Sequence, residues 1–238
     1  LIQTIKFLEI DQLKEINDYI DTLELFQSKV FDHSGEGDGN KQDISVRSSI
    51  STPLKELSDV TKTIHESMNA ALLVYKDRIS ELCPTFKQYP VPGGYSTTSF
   101  RESIQVLQYT EDQEYLFHTD QSPDKRAFEF DRKISIVLYL TGGFEGGGTE
   151  FPHATFKPKP GYGLIFPSNW CYPHSGQKVT KGCKRVAVTW YYVDRELIVT
   201  KDESVKGWQN NQYIVSYYKS EYLNGYWGNG TGYYSWCL

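Results

Sequence analysis

His118-Thr119-Asp120 sets an imidazole and a carboxylate two residues apart, and in an extended strand alternate side chains share a face. Both can then reach one metal ion. Two histidines and a carboxylate leave neighbouring coordination positions open, which suits non-haem Fe(II) working with a bidentate co-substrate and O2. A His-x-Asp pair is common by chance, so it gains weight only with a third ligand downstream. His153 and His174 are the candidates. His174 has the better surroundings, since it follows the apolar run Leu164-Ile165-Phe166.

Ten residues beyond His174, Lys184 opens a stretch in which Lys184, Val186, Val188 and Trp190 share one parity. If that face points inward, it carries one ammonium on an apolar wall. A buried ammonium costs several kcal/mol unless it is paired, so such a lysine implies an anionic partner, and the far carboxylate of 2-oxoglutarate would serve. A solvated strand end is the competing reading, and parity leaves both open. Arg185 has the opposite parity and would travel with Ala187, Thr189 and Tyr191.

These residues need elements to position them. Leu13, Ile16, Ile20 and Leu23 recur at helical spacing, with Asp11 available as a cap, and predict a helix over about residues 11–29. Residues 33–51 read as a loop. A second helix is expected from Thr52-Pro53, with Leu57, Val60, Ile64, Met68, Ala71 and Tyr75 on one face and Cys83-Pro84 just past its end. His65 falls between those apolar positions and is expected to be exposed. From residue 99 the pattern changes to period two, rich in β-branched and aromatic residues. Strands are expected at 103–110, 114–119, 132–140, 162–167 and 183–193, with hairpin connections at 141–148 and 157–161, as in an antiparallel sandwich or barrel. The run Gly142 to Gly148 is not followed by Gly-Lys-Ser/Thr, so it reads as a turn rather than a phosphate loop.

The whole chain narrows the class. Its 238 residues can bury a substantial core, and a formal net charge of -5 argues against a sequence-independent nucleic-acid binder, which needs a basic surface. No apolar run is long enough to cross a bilayer and Leu1 opens no signal-peptide pattern, so a cytoplasmic protein off the membrane is expected, with its natural start missing. Cys83, Cys171, Cys183 and Cys237 form no Cys-x-x-Cys pair and are expected as reduced thiols.

The stretch from Ile104 to Trp190 resembles the catalytic core of the prolyl 4-hydroxylase-like Fe(II)/2-oxoglutarate-dependent dioxygenases. The matching pieces run in order: Val106-Leu107-Gln108-Tyr109, His118-Thr119-Asp120, Arg132 to Leu140, Gly147-Gly148-Thr149-Glu150-Phe151-Pro152, and Pro158-Lys159-Pro160-Gly161. After them come Leu164-Ile165-Phe166-Pro167, His174-Ser175-Gly176 and Val179-Thr180-Lys181-Gly182-Cys183-Lys184. The resemblance covers over a third of the chain. It implies an α+β protein whose double-stranded β-helix (jelly-roll) core of mainly antiparallel strands is buttressed by N-terminal helices. On that plan residues 1–98 are helical support and linker, 99–195 the catalytic core, and 196–238 an aromatic-rich extension.

The same resemblance implies His118, Asp120 and His174 as iron ligands, and Tyr109 and Tyr139 as phenols that hydrogen-bond 2-oxoglutarate. Lys184 looks like the anchor for its far carboxylate, with Thr149 and Trp190 lining the pocket. Arg185 beside Lys184 departs from the pattern and competes for the anchoring role. Arg132 resembles a substrate-contacting arginine of the oxygen-sensing branch, although strict alternation puts it on the face opposite Tyr139 unless the strand is bulged. His153 has no family role. The implied cofactors are Fe(II), 2-oxoglutarate and O2, with ascorbate as a further candidate. The implied reaction is hydroxylation of a prolyl residue in a peptide or protein, releasing succinate and CO2. Two other readings are an oxygenase acting on a free amino acid or other small molecule and a non-catalytic metal-binding β-barrel module.

Overall fold

The computed structural model describes residues 1–31, 40–54, 58–84, 99–122, 132–193 and 233–236. In chain order its elements begin with β1 (Gln3–Lys6), α1 (Ile10–Ile20), β2 (Phe26–Gln27), β3 (Val30–Phe31), β4 (Asn40–Lys41), β5 (Ile50–Pro53) and α2 (Asp59–Leu82). Next are β6 (Ser99–Glu102), β7 (Gln105–Tyr109), β8 (Tyr115–His118), β9 (Arg132–Tyr139), β10 (Glu145–Gly146), β11 (Thr149–Phe151) and β12 (Ala154–Phe156). The series ends with β13 (Tyr162–Pro167), β14 (His174–Gly176), β15 (Val179–Lys181), β16 (Lys184–Val193) and β17 (Tyr233–Trp236).

The strands form two main sheets, antiparallel throughout. The major sheet runs β1-β13-β9-β16-β7-β5-β2, with β6 beside β16 and β17 beside β6; the minor sheet runs β12-β11-β14-β8. The chain passes back and forth between them, which is the double-stranded β-helix. The segments 141–148 and 157–161 are therefore crossings between sheets rather than hairpins: β9 pairs with β13 and β16, while β12 pairs with β11. A hairpin would keep successive strands in one sheet, whereas crossing lets two apolar inner faces cover each other.

Both faces of the major sheet are buried, each for its own reason. Ile134, Ile136, Leu138, Ala187 and Tyr191 pack outward against Ile16 and Ile20 of α1 and Ile64, Met68 and Tyr75 of α2. Tyr109, Tyr139, Val186, Val188 and Trp190 point the other way and pack with Phe144 and Val179. Arg185 goes outward with its parity set, its guanidinium donating to Gln108 Oε1, Asn17 Oδ1 and Asp21 Oδ1.

The N-terminal elements differ from expectation in several places, among them β4 and the start of β5 within the stretch 33–51 expected as a loop. α1 stops at Ile20, where the backbone tightens into bonds from Thr22 N to Tyr19 O and Leu23 N to Ile20 O. That releases Phe26–Gln27 to pair with β5. α2 starts at Asp59, capped by the Ser58 hydroxyl accepting from Thr61 N at 3.1 Å. Thr52-Pro53 belongs instead to β5, where sheet pairing with β7 outweighs the local preference for a helix start. His65 is buried, with 2% exposure. It belongs to the stripe Thr61, His65, Met68, Leu72, Tyr75 and Ile79, a second row of a buried face wider than the apolar residues alone reveal.

Cys83, Cys171 and Cys183 are free thiols; Cys237 and most of 196–238 lie outside the described residues. Among the described residues no helix is long and apolar enough to cross a membrane.

Gly161 is the joint between the helical layer and the sheet. Its carbonyl accepts from Phe7 N and Leu8 N, its N–H donates to Tyr139 O, and it holds φ +81 with the Leu8 carbonyl 2.5 Å from where a Cβ would sit. Gly161→Ala is expected to lose at least about 2 kcal/mol of unfolding free energy, since a left-handed residue and a backbone clash combine. Urea denaturation measures it; a loss under about 0.5 kcal/mol, the size of an ordinary surface change, would show that the joint relaxes freely.

Candidate active site

His118 closes β8 and His174 opens β14, and the antiparallel register sets them directly opposite one another. The extended backbone then turns Asp120 to the same side as His118. His118 Nδ1 lies 2.8 Å from Leu116 O and His174 Nδ1 lies 3.1 Å from Tyr172 O. A carbonyl only accepts, so each Nδ1 carries the proton and each Nε2 keeps its lone pair. The two Nε2 atoms stand 3.6 Å from Asp120 Oδ1 and Oδ2 respectively, beyond hydrogen-bond length. All three ligand atoms fall within 4.8 Å of one another. Two neutral imidazole lone pairs and a carboxylate aimed at one point form a donor set that fits a divalent transition metal, Fe(II) included.

The surroundings hold this geometry. Tyr115 stacks on His118 with ring centroids 3.6 Å apart, and Arg47 lies over the far face of Tyr115. Phe166 meets His174 edge-on at 4.8 Å. Burial pushes the His174 pKa down to about 4, against the pull of Asp120. Burial opposes ionisation of Asp120, but its neighbours His174, His118 and the Arg132 guanidinium outweigh it and hold the carboxyl well below the usual range.

β9 carries a bulge that the site uses. Tyr191 pairs with Ile134 but Tyr192 with Arg132, leaving Lys133 as the extra residue. Arg132 therefore faces inward with Ser135 and Tyr139. Its guanidinium is buried, binds both oxygens of Glu102, lies 3.8 Å over the Trp190 ring and donates to Asp120 O at 3.1 Å. Expected to contact substrate, Arg132 is here bound to the backbone of Asp120. Ser135 Oγ donates to Asp120 Oδ2 at 2.6 Å.

Deeper in the same inner face, Lys184 is 2% exposed. Its Nζ sits 4.9 Å from the Tyr109 ring and 5.3 Å from the Tyr139 ring. Tyr139 Oη is 2.8 Å from Thr149 Oγ1. Among the described residues Nζ meets no carboxylate, and burial, with Lys157 adding repulsion, pushes its pKa down to about 7. Tyr109, Tyr139, Lys184 and Trp190 thus share the inner face of the major sheet, with Thr149 meeting Tyr139 from the minor sheet, whereas His153 is exposed in the turn between β11 and β12. Sequence reasoning passed over Ser135, Ser168, Glu102 and Tyr115. The available signal was a serine inside the apolar run Ile134 to Leu140.

Residues 104–193 match the family model described as the 2OG-Fe(II) oxygenase superfamily. A curated protein of Acanthamoeba polyphaga mimivirus, named "Putative prolyl 4-hydroxylase", is 36% identical over 107 residues, covering 38% of this chain and 44% of the viral protein. The match thus spans less than half of that relative's length. The fold is similar to a viral collagen prolyl hydroxylase from Paramecium Bursaria Chlorella virus-1, with TM-score 0.54, 20% identity, and coverage of 82% of this chain and 96% of that one. It is also similar to a Pseudomonas putida prolyl-4-hydroxylase, with TM-score 0.53, 16% identity, and coverage of 80% and 91%. A Trichoplax adhaerens prolyl hydroxylase, in complex with a hypoxia inducible factor peptide, gives TM-score 0.54 at 16% identity, with coverage of 80% and 83%.

Lys184 gives the ligand-free protein a pH dependence with a fixed sign. Its folded pKa lies below the 10.5 of a solvated lysine, so between about pH 7 and 10.5 the unfolded chain binds more protons and stability from this group rises with pH. Below that window the penalty for the buried charge is fully present. Lys184→Met is therefore expected to be the more stable protein at pH 7 and to lose that advantage steadily toward pH 10, as measured by urea denaturation across pH. A constant difference would mean that the ammonium is solvated.

Proposed function

We propose, from the membership of residues 104–193 in the 2OG-Fe(II) oxygenase superfamily, that this protein hydroxylates a prolyl residue of a peptide or protein. The observation that carries the reading is a pair of sites, one on each main sheet. His118, Asp120 and His174 converge as three metal ligands, and Lys184 waits as a buried cation. In this reading the three residues hold Fe(II), while Lys184 binds the far carboxylate of 2-oxoglutarate and Tyr109, Tyr139 and Thr149 orient it. Fe(II) with 2-oxoglutarate and O2 bound supplies the oxidant: one oxygen atom enters the substrate C–H bond, and the other enters succinate as CO2 leaves. The apolar wall of Val186, Val188 and Trp190 excludes water from that chemistry. Ascorbate would serve only to restore the reduced metal.

The peptide part of the proposal is supported by the prolyl hydroxylases to which the chain is similar and by exposed apolar residues near the metal ligands in sequence. Leu116, Phe117 and Trp170, close in sequence to His118 and His174, are 44%, 52% and 79% exposed and offer apolar contact to a bound chain.

Anaerobic loading with Fe(II) and 2-oxoglutarate, then O2 and a panel of proline-rich peptides, is expected to give succinate and a peptide gain of one oxygen by mass spectrometry. Single alanine changes at His118, Asp120 or His174 abolish both, and His153→Ala does not. Lys184→Ala raises the 2-oxoglutarate requirement about 30-fold to several thousand-fold, the loss of about 2 to 5 kcal/mol of a desolvated charge pair. Arg185→Ala changes it less than about tenfold, since its guanidinium is engaged on the outer face. Oxygen gain on free amino acids with none on any peptide would replace the peptide substrate by a small molecule.

A further inference from the structure

We propose that Ser135 is a positioning residue that grips the Asp120 carboxylate by Oδ2, so that Asp120 presents Oδ1 to the metal. The inference rests on the metal-site reading above and specifies how one ligand of that site is aimed.

Ser135 and Ser168 are both 1% exposed. Ser135 Oγ lies 2.6 Å from Asp120 Oδ2 and 2.7 Å from Ser168 Oγ. An ionised carboxylate only accepts, so the single Ser135 proton goes to Asp120 and Ser168 must donate to Ser135. The direction of the whole chain is thereby fixed, and its last link is a short charge-assisted bond. Ser168 cannot drift, because its N–H donates to Lys133 O and its carbonyl accepts from Gln121 N, each at 3.0 Å. One serine just past β13 thus ties the bulge of β9 to the residue that follows the ligand.

The bulge makes the grip two-handed. Ser135 pairs with Trp190 and Arg132 with Tyr192, so with Lys133 looped out both side chains reach Asp120. Arg132 holds the backbone carbonyl, Ser135 the carboxylate. A carboxylate on a free Cβ–Cγ bond can present either oxygen or both. With its backbone fixed and one lone pair of Oδ2 engaged by Ser135, the carboxylate is held in one rotation, and Oδ1 is the oxygen without a hydroxyl donor among the described residues. Groups that orient a ligand in this way carry about 10- to 100-fold in metal affinity.

The test compares isosteric side chains, Ser135→Thr against Ser135→Val, so that the cost of the extra methyl cancels. Mn(II) binding is read from the electron paramagnetic resonance of the free ion, and the visible spectrum of the Co(II) form reports ligand geometry. Ser135→Thr is expected to bind Mn(II) within about threefold of wild type and to keep the Co(II) spectrum, whereas Ser135→Val binds about 10- to 100-fold more weakly with a shifted spectrum. Ser168→Ala, which leaves the Ser135 proton in place, costs several-fold. Equal affinities and identical spectra for the Thr and Val variants overturn the inference while leaving the metal site standing. If wild type and His174→Ala bind Mn(II) alike, the metal-site reading itself fails and takes this inference with it.

Discussion

A carboxylate with 8% of its residue surface exposed sets the terms for everything around Asp120. In a water-excluded pocket an unpaired charge costs several kcal/mol, so polar groups must gather around it, and here they come from separate parts of the chain. His118 comes from β8, His174 from β14, Arg132 and Ser135 from β9, and Ser168 follows β13 to support Ser135. Two of those strands belong to the major sheet and two to the minor sheet. Satisfying one anion therefore fixes how the sheets meet, and the crossings at 141–148 and 157–161 make that meeting possible.

The outer layers serve the same end at a distance. α1 and α2 cover the outward parity of β9 and β16, which leaves the inward parity free to carry polar groups without exposing the sheet to water from behind. Arg185 shows the division of labour. Adjacent to Lys184, it spends its charge on Asp21 and the side chains of Asn17 and Gln108, pinning α1 to the sheet, while Lys184 takes the interior alone. A one-residue slip of β16 would exchange the two.

Much of this was legible in the residues. The His-x-Asp spacing, the alternation of Lys184 with Val186, Val188 and Trp190, and the five long strands from 103 to 193 all follow from period two. The failures have a common physical cause, since each depends on a partner remote in sequence. Thr52-Pro53 is a fair helix start until β7 offers it a ladder. His65 looks exposed until a second row of α2 is found against the core. Arg132 falls on the wrong face until Lys133 is looped out. Ser135 is an ordinary polar residue in an apolar strand until Asp120 is placed beside it. Local pattern fixes parity, but tertiary pairing decides where parity is broken.

Charge arithmetic links the two sheets. Asp120 contributes one negative charge among neutral imidazoles, and Lys184 contributes one positive charge when protonated. By itself a divalent cation beside Asp120 leaves the pocket with a surplus of positive charge and discourages protonation of Lys184. A dicarboxylate alone crowds two negative charges into a space that already holds Asp120. Together they sum to zero with both residues charged, in a medium where a net charge is expensive. In the proposed function each ligand would thus lower the electrostatic cost of the other, with Lys184 the group whose charge balances the second carboxylate.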